Sequence, residues 1–189
     1  MRKAEYTSTA KFFHWLSALL IIYQLSSGIW MTRAIQIADL KMLAWKTYQT
    51  HKSVGISILI LTMIRFIWRQ YHKPPDHSKS LSTWEITAAL IVHRCMYLLA
   101  ILSPMLGWLM VSASPLRLPT VIFGLFSLPH LPSIPVSTEL YIISKQLHIY
   151  SNTLLFILMC IHISAAIKHH IYDKNNILIS MLPKWPKIK

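Results

Sequence analysis

The stretch Gln146-Leu147-His148-Ile149-Tyr150-Ser151-Asn152-Thr153-Leu154-Leu155-Phe156-Ile157-Leu158-Met159-Cys160-Ile161-His162-Ile163-Ser164-Ala165-Ala166-Ile167 holds no lysine, arginine, aspartate or glutamate. A helix that long and apolar reads as a membrane span. His148 and His162 stand 14 residues apart within it. That is close to four helical turns, about 21 Å of rise, so both rings project from nearly the same face. Ionisable groups in hydrocarbon are costly and usually functional.

Three more apolar segments precede this one. The first, Trp15 to Thr32, has no charge. It is longer than a signal h-region, lacks a small-residue cleavage pattern, and is expected to stay as a span. The second runs Ser53 to Ile64 and continues past Arg65, which must snorkel or be paired. The third covers Ile86 to Val92 and Cys95 to Leu116, with Pro104 as a site for a kink. The expected fold is an all-α membrane protein, a four-transmembrane-helix bundle with spans near 12–32, 51–69, 86–111 and 146–168. The whole chain, 1–189, is expected to form one domain. Between spans three and four, Val121 to Leu128 is apolar enough to lie on the membrane as a short interfacial helix.

The chain is 54% hydrophobic and 13% charged, with net charge +13. Such a charge invites a nucleic-acid reading, but its distribution follows the membrane. Eleven Lys and Arg flank the side of both termini: Arg2, Lys3, Lys11, Arg69, Lys73, Lys79, Lys168, Lys174, Lys184, Lys187 and Lys189. Six flank the other: Arg33, Lys41, Lys46, Lys52, Arg117 and Lys145. The positive-inside rule puts both termini in the cytoplasm. There is no repeat and few polar residues at mid-membrane, which argues against a transporter. Cys95 and Cys160 read as small buried residues. Without a C-x-x-C-H string, covalent c-type haem attachment is excluded.

The ten histidines sort by depth. His51 and His148 fall at the outer level. His14 and His162 match at the inner level, with His93 and His169 as competitors, while His72, His77 and His130 sit in loops. Two separated pairs suit two b-type haems, each iron held between neutral imidazoles. Zinc would want three or four clustered ligands. Met63 and Met110 are spare axial candidates that four depth-matched histidines make unnecessary.

The neighbours support that reading. Arg65, 14 residues after His51, shares its helix face and suits a haem propionate or the inner headgroups; Arg94 has the same ambiguity. Lys52 suits the outer propionates. His169, seven residues past His162, suits a hydrogen bond to a quinone carbonyl near the inner haem. Gly28, Gly55 and Gly107 all fall in the outer half, as clearance for close helix packing or for a macrocycle.

These strings resemble the bacterial cytochrome b561 family: Phe13-His14-Trp15-Leu16; His51-Lys52-Ser53-Val54-Gly55-Ile56-Ser57 running to Arg65; His93 through Tyr97-Leu98 to Pro104 and Gly107; Leu147-His148; and His162 through His169-His170 to Asp173-Lys174-Asn175. Their order and spacing cover nearly the whole chain. The resemblance implies a di-haem b protein of the bacterial inner membrane, with His14 and His162 on the inner haem and His51 and His148 on the outer. One activity in the family is superoxide oxidation, with ubiquinone reduced near the inner haem, and His169 would then contact the quinone. The outer face carries a formal charge of +4, from the six cations above against Asp39 and Glu139, and Lys46 and Lys52 would help draw in a small anion. The alternative is an electron-transfer anchor or subunit serving a separate protein partner.

Overall fold

Polar residues that start helices set the frame. The structure is a computed structural model that describes residues 6–72, 75 and 81–183. Arg2, Lys3, Lys73, His77, Lys79, Lys184, Lys187 and Lys189, counted above, lie outside the described residues. Thr7 caps α1 (Ser8–Ala34) by accepting from the Ala10 N–H. A 3-10 turn at Ala38–Leu40 leads into α2 (Lys41–Tyr71). Ser82 and Glu85 form a reciprocal capping box at the start of α3 (Thr83–Ala113). Ser137 caps α4 (Thr138–Ile171) by accepting from the Leu140 N–H. Each cap answers a helix N–H that hydrocarbon or headgroups would leave bare. A last short helix, α5, spans Ile177–Met181.

All four long helices are long and apolar enough to cross a membrane. Their packing is inverted relative to a soluble core. Large apolar side chains such as Leu19, Ile60, Leu98, Met105 and Ile157 are exposed, whereas small ones such as Ala44, Ala113, Ser53, Ser112 and Ser144 are fully buried. Lipid is as apolar as leucine, so small residues at helix contacts carry the packing. The serine hydroxyls are answered by the helix itself: Ser112 donates to the Trp108 carbonyl and Ser144 to the Leu140 carbonyl. Helix α1 packs along α2, α2 also touches α3, and α3 packs along α4. The backbones of α1 and α2 stand back from α4.

The helices outrun the apolar segments. Helix α2 begins at Lys41, ten residues before the expected span, so His51 lies well inside it. A charge-free window detects hydrocarbon, and the helix continues past it through Lys41 to Thr50. Residues 121–128 form no interfacial helix. They make an antiparallel hairpin, β1 (Thr120–Ile122) and β2 (Phe126–Leu128), paired Thr120 to Leu128 and Ile122 to Phe126. Thr120, Val121 and Ile122 favour strand. The turn then places Phe123 at φ 47° and Gly124 at φ 78°, a pair of left-handed residues closed by the Leu125 N–H on the Ile122 carbonyl. Gly124 takes that conformation freely, and Phe123 at a cost of about 1–2 kcal/mol.

Helix α2 holds the hairpin in place. The buried Ser53 hydroxyl donates to the Val121 carbonyl and accepts from the Phe123 N–H at 3.0 Å. Gln49 and Lys52 both donate to the Pro119 carbonyl. On α3, Trp108 donates to the Pro129 carbonyl, and the Leu131 N–H donates to Ser112. The long connection is thus clamped at one end of the bundle, called here the hairpin end. At the opposite, terminus end, Lys11 donates to the Leu182 carbonyl and Trp15 to the Met181 carbonyl. These side chains satisfy carbonyls at the end of α5 and fold the tail under α1.

Candidate haem sites

At two levels, histidine rings bridge the space between α4 and its neighbours. At the hairpin end the His51 and His148 ring centroids lie 6.3 Å apart at 77°. At the terminus end those of His14 and His162 lie 6.2 Å apart at 64°. A ligating imidazole nitrogen sits about 2 Å from its metal, so two rings on opposite sides of one ion have centroids about 6 Å apart. Both pairs meet that spacing. His93 approaches His162 more closely, 5.1 Å at 65°, which is too near for rings on opposite sides of one ion. The distances favour His14 over His93 as the partner of His162.

One hairpin-end ring has a defined tautomer. His148 Nδ1 donates to the Ser103 carbonyl at 2.8 Å, and a carbonyl can only accept. Its Nε2 lone pair is left free for a metal, the second-sphere pattern of ligating histidine. His51 Nδ1 meets the Ser27 hydroxyl at 3.1 Å, and that hydroxyl also reaches the Gln24 carbonyl at 3.2 Å. Ligation of His51 through Nε2 would put its proton on Nδ1, with Ser27 accepting it and donating to Gln24.

Glycines make room for these rings. A Cβ on Gly28 would lie 3.3 Å from His51 Cε1, and one on Gly107 would lie 3.2 Å from His148 Cε1. A Cβ on Gly55 would meet Gln24 Nε2 at 3.1 Å. Beside His148 is a cavity of about 30 Å³ bordered by Gln24, Gly55, Ser103, Pro104 and Asn152. Gln24 Oε1 is buried there with no hydrogen-bond partner among the described residues. The free His148 Nε2, glycine clearance and an orphaned polar atom beside the ring fit a haem at this level.

The terminus end differs. Arg65 Nη2 donates to His14 Nδ1 at 3.0 Å. A neutral His14 in that contact carries its proton on Nε2. Were His14 to hold a haem through Nε2, its proton would sit on Nδ1 and the guanidinium would give up this hydrogen bond. Its charge stays near, since Arg65 lies over the Tyr97 ring at 5.3 Å and Arg69 over the same ring at 5.9 Å. The donor set fits haem here on ring spacing, with that one exchange.

The remaining expected residues are scattered. His169 Nδ1 lies 2.6 Å from Asp173 Oδ2, and Lys168 bridges Asp173 and Glu85 at 2.8 and 2.9 Å. Lys168 first, then His169, hold the Asp173 carboxyl below its ordinary pKa. Lys52 reaches the Pro119 carbonyl at 2.6 Å. Lys46 and Arg94 are exposed, as is Met63. Cys160, expected as a buried residue, is exposed on α4; that helix turns only its histidine and serine face inward. The roles of Ser27 and Gln24 were not foreseen, since one serine among many carries no sequence signal.

The four spans define a multi-pass membrane protein, and the spacing of the paired rings suits a redox metal group between them. Residues 5–184 match the family model described as prokaryotic cytochrome b561. The chain is 30% identical to cytochrome b561 homolog 2 of Escherichia coli K12 over 91% of its length and 88% of the relative's. It is 23% identical to cytochrome b561 homolog 1 of the same organism, over 95% and 98% of the two chains. It is 28% identical to a probable superoxide oxidase, CybB, of Yersinia pestis, over 90% and 92%. The chain belongs to the prokaryotic cytochrome b561 family. Membership implies b-type haem and membrane electron transfer in the bacterial inner membrane.

Gly107→Ala tests the clearance. Alanine gains about 1 kcal/mol of helix propensity over glycine. The added Cβ nonetheless presses on a ring fixed by the Ser103 carbonyl. The expected outcome is an intact fold with reduced haem at one level, read from the haem-to-protein ratio and the low-spin electron paramagnetic resonance signals. A full and unchanged complement would show that the ring yields freely.

Proposed function

We propose that this chain carries electrons across the bilayer between two haem b groups. One is held by His51 and His148, the other by His14 and His162. The observation that carries the proposal is the pair of ring spacings, 6.3 and 6.2 Å, at two levels of one helix. Each haem would supply one-electron storage, and the residues around it set how readily it is reduced. The hairpin end faces outward and the termini lie in the cytoplasm, as the lysine and arginine distribution supports.

The donor is superoxide and the acceptor ubiquinone. Two superoxide anions would leave as two O2, and their two electrons with two protons would convert ubiquinone to ubiquinol. The similarity to the probable superoxide oxidase supports this donor. So does the cationic hairpin end, where Arg33, Lys41, Lys46, Arg117 and Lys145 are all solvent-accessible. Scattered cations raise the arrival rate of a small anion. His169, largely enclosed and held by Asp173, would present its Nε2 side to a quinone at the terminus end.

Haem content tests the ligands. His148→Ala is expected to lose the hairpin-end haem and keep the other, and His162→Ala the reverse, because the pairs share no ring. Two low-spin haems in either variant would overturn the assignment.

Stopped-flow reduction of the purified protein tests the donor. The rate with superoxide is expected to fall as salt rises, since the Debye length shrinks from about 10 Å at 0.1 M to about 3 Å at 1 M. Lys46→Gln with Lys52→Gln should lower that rate several-fold and flatten its salt slope. Lys46→Gln alone controls for loosening of the hairpin, because only Lys52 is bonded to it. Absence of any reduction by superoxide would favour a protein partner as donor, the role of an anchor subunit.

His169→Ala is expected to keep both haem spectra and to slow reoxidation by ubiquinone several-fold at limiting quinone. An unchanged rate would leave His169 as a partner of Asp173 alone.

A further inference from the structure

The two histidine levels have partners of opposite electrical character. At the hairpin end each ring meets a neutral oxygen at Nδ1: the Ser103 carbonyl accepts from His148, and the Ser27 hydroxyl lies 3.1 Å from His51. A ring that donates in this way becomes a more basic ligand and stabilises the oxidised metal. The nearest lysine in sequence, Lys52, turns away to Pro119, as successive helix residues point about 100° apart.

The terminus end is the reverse. The Arg65 guanidinium touches His14, and Arg69 shares the Tyr97 ring with it. Glu85 and Asp173 stand at this end too, but both are bonded to Lys168, and Asp173 also to His169. Among the described residues no carboxylate pairs with Arg65 or Arg69. Two cations thus crowd one histidine level with no anion against them. A fixed positive charge in a low-dielectric interior favours the state with one more electron.

We infer that these partners set the direction of electron flow. Arg65, seconded by Arg69, makes the His14–His162 level the easier to reduce. Ser27 and the Ser103 carbonyl make the His51–His148 level the easier to oxidise. An electron placed at the hairpin end therefore runs downhill to the terminus end, and Arg65 is a positioning residue for charge with no need to touch donor or acceptor. The inference rests on the proposal that each pair holds a haem.

Potentiometric titration of the purified protein, followed in the haem absorbance bands, reads this directly. Arg65→Gln should lower the midpoint potential of one haem by about 59 mV, a tenfold change in the electron's distribution, and leave the other in place. The same variant in the His148→Ala background, which keeps only the terminus-end haem, should show the same shift. Arg69→Gln should shift that haem in the same direction by less, without touching His14. Ser27→Ala should raise the potential of the other haem. The inference is overturned if Arg65→Gln and Arg69→Gln leave both potentials unchanged, or if the haem that moves is the one lost in His148→Ala. A wild-type protein with a single haem would instead overturn the ligand assignment.

Discussion

A histidine ring in hydrocarbon must have both nitrogens answered, and this structure is arranged around that requirement. At the hairpin end the first nitrogen is answered by a carbonyl and a serine hydroxyl. The Ser103 carbonyl fixes the His148 tautomer and leaves its second nitrogen with a lone pair and no partner among the described residues. An unanswered lone pair inside a membrane is costly. A metal between two such rings answers both at once. The glycines follow from the same demand, because rings seated this close to a helix leave no room for a side chain on the helix they face.

The second dependence is on α4. It supplies one ring to each level, while α1 and α2 supply one each. Helix α3 supplies no ring to either pair but carries the Ser103 carbonyl and Gly107 that seat His148. Pro104 lies next to that carbonyl in a helix where proline removes one backbone donor. The division of labour explains why α3 and α4 pack closely while α1 and α2 stand back.

The four spans, and the helix face that His148 shares with His162, could be read from the sequence because they follow from long apolar runs and a 3.6-residue period. The hairpin was misread because hydropathy describes only how greasy a segment is; Thr120, Val121, Ile122 and Gly124 carried the strand-and-turn signal instead. The start of α2 was missed because the helix leaves the hydrocarbon before it ends. The Arg65–His14 contact shows a further limit. Sequence placed Arg65 on the helix face of His51, 14 residues further along α2. It did not show which atom the guanidinium would reach, since that depends on how far α1 and α2 stand apart. Ser27 was illegible for a similar reason, being one polar residue of a run whose use is decided by a ring on another helix.

The placement of α4 also imposes an order on assembly. Helices α1, α2 and α3 can enter the membrane one after another and pack as neighbours, but neither histidine level is complete until the fourth span arrives. The tail that follows it is then drawn under α1, where Lys11 and Trp15 hold the Leu182 and Met181 carbonyls. On the proposed ligand assignment, neither redox site could be completed before the fourth span is in place, and a chain arrested after three spans would lack one ring of each pair.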